Sequence, residues 1–145
     1  MHNARVLDLF AGTGALGVEA LSRGARELVS VEANSQAAAL ILRTSKALQS
    51  SKAWDSALSM RVLRKRAEQF VADYSGEAFD LVFIDPPYAY ETADCESLLA
   101  SMIASGVASV SADTLIVLER SARSVLPTMT CLLYTSPSPR DGLLS

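Results

Sequence analysis

The sequence predicts a Rossmann-like α/β sandwich, a parallel sheet with helices on both faces. Three observations predict it. Short apolar runs alternate with stretches of helical period along the whole first part of the chain. A glycine-rich turn, Gly12-Thr13-Gly14-Ala15-Leu16-Gly17, follows the first apolar run and opens a helical pattern. The strongest run, FDLVFI, is stopped at once by Asp85-Pro86-Pro87.

The elements follow in order. Arg5–Phe10 (RVLDLF) is an apolar strand carrying one acid. A helix pattern runs through Leu16, Val18, Ala20 and Leu21, with Gly24 placed to end it. Glu27–Glu32 (ELVSVE) is the second strand, and Ser35 is positioned as the N-cap of a helix showing Ala38, Ile41, Leu42 and Leu48 on one face. Ser59–Leu63 is the third strand, followed by a short helix through Ala67, Phe70 and Val71. Phe79–Ile84 is the fourth strand, 93–105 a helix capped by Gly106, and Thr114–Glu119 (TLIVLE) the fifth strand. No internal repeat is present.

Composition narrows the function classes. The 145 residues allow a single domain. Half are hydrophobic and a fifth charged, a globular balance. The net charge of −3, from 13 Lys+Arg against 16 Asp+Glu, does not advertise a nucleic-acid partner. No apolar run is long enough for a membrane span, and the first residues lack the layout of a secretory signal, so a cytoplasmic protein without membrane contact is expected. Two cysteines and one histidine argue against a zinc cage, a disulfide framework or a histidine triad, so no metal is expected.

The glycine turn brings the backbone close to a ligand, and its helix N-terminus offers N–H groups to an anionic group. By itself it does not separate a dinucleotide pyrophosphate from the carboxylate of a methionine-like moiety. Glu32 ends the second strand, where an acid accepts hydrogen bonds from both ribose hydroxyls of an adenosine. Asp8 discriminates further. It sits inside an apolar strand beside the glycine turn, where an unpaired carboxylate is costly and an amino-bearing ligand would supply a partner.

Asp85-Pro86-Pro87-Tyr88 emerges at the carboxyl end of a strand, the ligand-binding edge of open α/β sheets. Its two prolines fix φ and remove two N–H donors, so the turn presents acceptors, the Asp85 carboxylate and the Pro86 carbonyl. An exocyclic base amine delocalises its lone pair into the ring. Hydrogen bonds from its two hydrogens to such acceptors orient the nitrogen as a nucleophile. Tyr88 is placed to stack on the base.

The residues V-L-D-L-F-A-G-T-G-A-L-G-x-E-A-L-S-R-G-A (Val6–Ala25), V-E-A (Val31–Ala33) and F-D-L-V-F-I-D-P-P-Y (Phe79–Tyr88) closely resemble the RsmD-type family. That family comprises S-adenosylmethionine-dependent methyltransferases acting on guanine N2 in small-subunit ribosomal RNA. The resemblance runs from Val6 to Glu119 and implies the class I methyltransferase form of the sandwich. It places Asp8, Phe10, Ala11, Gly12 and Gly14 around the methionine end of S-adenosyl-L-methionine, and Glu32 with Ala33 at the ribose. Asp85, Pro86, Pro87 and Tyr88 are implied as the catalytic turn holding the guanine. Where the family carries an Asp- or Asn-Ala pair this chain reads Arg66-Ala67-Glu68, which leaves the Ala67 backbone for the adenine. The implied partners are ribosomal RNA and the small ribosomal subunit, with a monomeric enzyme.

Alternatives of other classes are an adenine-N6 or other amine methyltransferase, a nicotinamide-dependent oxidoreductase, and a non-functional truncated product. From Thr128 the chain reads TMTCLLYTSPSPRDGLLS, with Pro137, Pro139 and no helical or strand period. Cys131–Asp141 is similar to the conceptual translation of a transposase adaptor used in sequencing libraries. The expected organisation is therefore an incomplete catalytic core over 1–127 and a non-native, disordered tail over 128–145. The resemblance also implies a missing basic N-terminal segment and a missing antiparallel strand pair, so the sandwich is expected to be truncated at both ends. The run Arg61, Arg64, Lys65 and Arg66 is expected to protect a sheet edge, with contact to RNA phosphates as the other reading.

Overall fold

The computed structural model describes residues 2–87, 89–109, 114–120 and 133–137. Its elements are β1 (Arg5–Leu9), α1 (Ala15–Ser22), β2 (Glu27–Val31), α2 (Ser35–Gln49), β3 (Ser59–Leu63), α3 (Ala67–Asp73), β4 (Leu81–Ile84), α4 (Thr92–Ser105), β5 (Leu115–Arg120) and β6 (Leu133–Pro137). The strands form one sheet in the order β3-β2-β1-β4-β5-β6, and every pair is parallel. Parallel neighbours need a crossover, and the sequence supplies a helix for each crossover from β1 to β5.

The strand register sorts side chains onto two faces. Val6, Leu28, Met60 and Leu81 pack with Ala20 and Leu21 of α1 and Ile41 of α2. Leu7, Leu9, Val29, Val31, Val82 and Ile84 pack with Phe70 and Val71 of α3 and with Leu98, Leu99 and Met102 of α4. These neighbours differ by one residue along each strand, so a sheet covered on both faces explains apolar runs without alternation. Gly17 lets α1 approach closely: a Cβ there would sit 2.7 Å from a Leu28 methyl carbon. No helix among the described residues is long and apolar enough to cross a membrane.

Three local expectations are corrected. Asn34, not Ser35, is the N-cap of α2; its side-chain oxygen accepts the Ala37 N–H at 2.9 Å. Leu42 is exposed, because Ala38, Ile41 and Ser45 form the buried stripe. The third concerns the tail: Leu133–Pro137 forms β6, pairing in parallel with β5 from Ile116↔Leu133 to Arg120↔Pro137. The open edge of β5 is a row of unpaired N–H and C=O groups that templates an extended segment through its backbone, so no side-chain period is required. The sixth strand is parallel, unlike the antiparallel pair that the resemblance implies. Strand pairing does not address the origin of the tail, the rest of which lies outside the described residues.

The entry edge of the sheet is pinned by polar contacts. The Arg5 side chain donates to Glu27 Oε1 (3.0 Å) and to the carbonyls of Glu77 and Ala78 (each 2.9 Å), and it lies over the Phe79 ring at 4.5 Å. Buried Thr114 joins the starts of β4 and β5: its hydroxyl donates to the Phe79 carbonyl (2.8 Å) and accepts the Ser109 N–H (3.0 Å). Replacing it with near-isosteric valine leaves both backbone groups without that partner. Thr114→Val is expected to destabilise the fold by about 2 kcal/mol, read as a lower urea midpoint with an unchanged denaturant slope.

Candidate active site

Because all strands run the same way, the turns after β1, β2, β3 and β4 share one edge of the sheet. The order reverses between β1 and β4, where β1 leads to β2 on one side and β4 leads to β5 on the other. A crevice opens at such a switch point. Here it is a cavity of about 430 Å³.

The cavity gathers most of the residues singled out from sequence. Phe10 and Gly12 enter it from the turn after β1, Glu32 and Ala33 from the end of β2, and Ala67 from the start of α3. Asp85, Pro86 and Pro87 close it from the turn after β4. Asp8, Ala11 and Gly14 do not line it. Asp8 and Ala11 are buried behind the wall, and Gly14 (φ 80°) turns the chain into α1 while packing on Ile41. Tyr88 lies outside the described residues.

Four carboxylates define the electrostatics of this edge. Asp8 is 2 % exposed, and its Oδ2 has no hydrogen-bond partner among the described residues. Burial pushes its pKa up to about 7, and the nearby charges of Asp85, Glu32 and Glu119 add to the shift. A hydrogen bond from the Gly17 backbone N–H pulls the other way. Ser30, opposite Asp8 in the β1–β2 register, is also buried with an unpartnered hydroxyl. Glu32 is held rigidly: Oε1 accepts the Gly12 N–H at 2.7 Å and Oε2 the Asn34 N–H at 2.9 Å. A carboxylate has about four lone-pair sites, so both Glu32 oxygens keep acceptor capacity.

This network corrects the expectation that the glycine turn offers its N–H groups to an anion. The Gly12 N–H is bound to Glu32, the Gly14 N–H to the Ala11 carbonyl at 2.8 Å, and the Ala15 N–H to Thr13 Oγ1 at 3.3 Å. The Gly17 N–H serves Asp8. With the N–H groups of Gly12, Gly14, Ala15 and Gly17 engaged and carboxylates around it, the turn is a poorer cradle for a pyrophosphate than for a cation. The residues fit the ammonium and sulfonium charges and the ribose of S-adenosylmethionine. A Cβ at Gly12 (φ 58°) would meet no protein atom nearer than 3.9 Å, so the space beside it belongs to the cavity.

Other residues also line the cavity: Val31, Lys65, Arg66 and Glu68, named from sequence without their side chains being placed in the pocket, and Tyr90, which sequence reasoning passed over. Tyr90 matters most. Its hydroxyl donates to Glu68 Oε2, its N–H donates to the Pro87 carbonyl at 2.9 Å, and its ring meets Phe10 edge-on at 5.2 Å. Burial and the Glu68 carboxylate hold the Tyr90 phenol above its ordinary pKa. Tyr90 thus ties the turn after β4 to the turn after β1 and to the first turn of α3. Phe10 meets it from a left-handed conformation (φ 58°), an uncommon state for a non-glycine residue and one that recurs at functional sites. The available signal was the second aromatic of Tyr88-Ala89-Tyr90, but its partners are distant in sequence.

Known proteins resemble this chain in sequence and in fold. The family described as Conserved hypothetical protein 95 matches residues 1–136. Ribosomal RNA small subunit methyltransferase D of Haemophilus influenzae is 34% identical over 95 residues, 65% of this chain and 47% of that protein. The Escherichia coli protein of the same name is 35% identical over 86 residues, 59% of this chain and 39% of that protein. The crystal structure of a Haemophilus influenzae protein described as a methylase aligns with a TM-score of 0.72 at 27% identity, covering 88% of this chain and 74% of that one. The matched segments span less than half the length of the two curated relatives.

The raised pKa of Asp8 gives a stability signature. In the unfolded chain its carboxyl ionises near its ordinary value of 3.8, whereas in the fold it keeps its proton to about 7. Its contribution is therefore fully present below pH 3.8 and is lost as pH rises to about 7. Between those limits wild type is expected to lose stability relative to Asp8→Asn by up to about 1.4 kcal/mol per pH unit, with no further loss above about 7. Urea denaturation of both proteins across this range checks it.

Proposed function

The chain belongs to the Conserved hypothetical protein 95 family, the RsmD family, and from that premise we propose that it is the catalytic core of an S-adenosylmethionine-dependent methyltransferase acting on the exocyclic N2 amine of a guanine in small-subunit ribosomal RNA. The observation that carries this reading is the cavity itself. A donor-poor Asp-Pro-Pro turn lines it, at the same edge as the buried Asp8 carboxylate, whose Oδ2 has no hydrogen-bond partner among the described residues. The core is assigned to residues 1–127, with 128–145 as a tail of other origin.

The residues divide the work by chemistry. Asp8 supplies the anionic partner for the amino group of the cofactor, with Phe10, Ala11, Gly12 and Gly14 shaping that end of the site. Glu32, already fixed by two backbone N–H groups, accepts from the ribose hydroxyls, with Ala33 beside it. The Ala67 backbone serves the adenine. When bound, S-adenosylmethionine supplies an electrophilic methyl on a sulfonium. Asp85 and the Pro86 carbonyl accept the two amine hydrogens and orient the nitrogen lone pair, and Tyr88 stacks on the base. Asp85 or solvent takes the proton released as the nitrogen is methylated. Catalysis is positioning and electrostatics, with no covalent enzyme intermediate.

The dinucleotide alternative has less support. A pyrophosphate would meet Glu32 and Asp85 in the cavity, with the N–H groups of Gly12, Gly14, Ala15 and Gly17 engaged. An adenine-N6 target uses the same acceptor turn, and mass analysis of the methylated nucleoside separates it from guanine N2.

Two variants test the division of labour. Asp85→Ala is expected to lower methyl transfer to small-subunit ribosomal RNA about 100-fold or more while cofactor affinity by calorimetry stays within about threefold. Asp8→Asn is expected to weaken cofactor binding itself. Since ionised Asp8 is the binding form, wild-type affinity is expected to rise with pH up to about 7 and then level off, with proton release on binding below that pH. Wild-type turnover by Asp85→Ala would remove the catalytic assignment.

A further inference from the structure

The active-site edge is acidic, yet the proposed substrate is a polyanion. Asp8, Glu32, Asp85 and Glu119 would repel the phosphates on either side of a base entering the cavity. A compensating cationic surface must border the entrance, and one run of the chain has this character. In Arg61-Val62-Leu63-Arg64-Lys65-Arg66 four of six residues are cations and none is an acid, within a chain of net charge −3.

All four cations are exposed. Arg61, Arg64 and Lys65 make no ion pair among the described residues, and Arg66 makes one at 3.6 Å to Glu68, with the Arg66 side chain 79% exposed. They occupy the outermost strand on this side and the turn that follows it. Lys65 and Arg66 line the same cavity as Asp85, Pro86 and Pro87.

Protection of the sheet edge does not account for the run. A charge on β3 itself, such as Arg61, blunts strand pairing. Arg64, Lys65 and Arg66 come after Leu63, the last residue of the strand, where no β3 ladder remains to protect. Lys65 and Arg66 line the cavity instead, and Arg64 directly precedes them.

We propose that Arg61, Arg64, Lys65 and Arg66 form the track that holds the phosphate backbone of single-stranded RNA beside the target base. Such contacts fix register and orientation, while the Asp-Pro-Pro turn reads the base. The inference rests on the RNA substrate proposed above and adds the surface that carries it.

The test uses the whole chain, a short fluorescent single-stranded RNA, and S-adenosylhomocysteine as cofactor probe. The Arg61→Gln/Arg64→Gln variant leaves the cavity-lining cations in place. Removing these two contacts is expected to flatten the slope of log affinity against log salt by about 1.4, at about 0.7 per contact, and to weaken binding about 10- to 30-fold near about 0.1 M salt. S-adenosylhomocysteine affinity by calorimetry is expected to match wild type. The control, Arg23→Gln/Arg26→Gln, removes the same charge from exposed positions ahead of β2, at the opposite edge of the sheet, and is expected to leave the slope unchanged. An unchanged slope in the first variant, or an equal loss in the control, overturns the track. Wild type that binds S-adenosylhomocysteine but no RNA also overturns it, with the cofactor reading intact. Failure of both probes to bind would sink the proposed function itself.

Discussion

The structure depends on one electrostatic constraint: a carboxylate is buried at the carboxyl end of the central strand. Asp8 sits between β2 and β4 in register with Ser30 and Phe83, nearly sealed from solvent. Water cannot solvate it, Gly17 supplies one backbone donor, and the neighbouring acids raise the cost of its charge. A fold optimised only for stability would place an apolar residue there. Retaining the acid makes sense if a cationic ligand completes the site, and much of the surrounding geometry follows from that need.

The glycine turn illustrates the dependence. A turn of this sequence is often read as an anion cradle, yet here its amides are consumed internally by Glu32, Ala11, Thr13 and Asp8. Those hydrogen bonds convert a flexible segment into a rigid frame that holds Glu32 at the cavity wall. Tyr90 extends the same frame across the opening, joining Phe10, Glu68 and Pro87 through a ring contact and two hydrogen bonds. The Asp-Pro-Pro turn is thus stiff for two independent reasons, the ring constraint of its prolines and the Tyr90 N–H that braces the Pro87 carbonyl. Rigidity of this kind serves a reaction in which the protein contributes placement more than bond making.

Much of the fold was legible in the sequence because the signals were local. RVLDLF, ELVSVE and FDLVFI mark strands by their apolar character, and the stop signals at Gly24, Gly106 and Asp85-Pro86-Pro87 mark their neighbours' ends. Asn34 in place of Ser35 as cap, and Leu42 facing solvent, are errors of one position on a helix, where neighbouring residues compete for one role. β6 was not legible, since a strand that pairs through its backbone with the open edge of β5 needs no period of its own.

By itself the sequence determined the order of elements, the turns that interrupt them, and the chemical types present at each strand end. Periodicity and turn chemistry act over a few residues, so they can be read along the chain. Only the tertiary structure decided which of those residues meet. It put Phe10, Glu32, Ala67 and Asp85 around one cavity, set Asp8 and Gly14 behind its wall, and brought Tyr90 to Glu68 across 22 residues of chain. It also put Lys65 and Arg66, the end of the basic run that begins in β3, at the wall of that cavity. The reason is that strand order is not written in strand sequence: parallel pairing places β1 between β2 and β4, and every long-range contact of the site is a consequence of that choice.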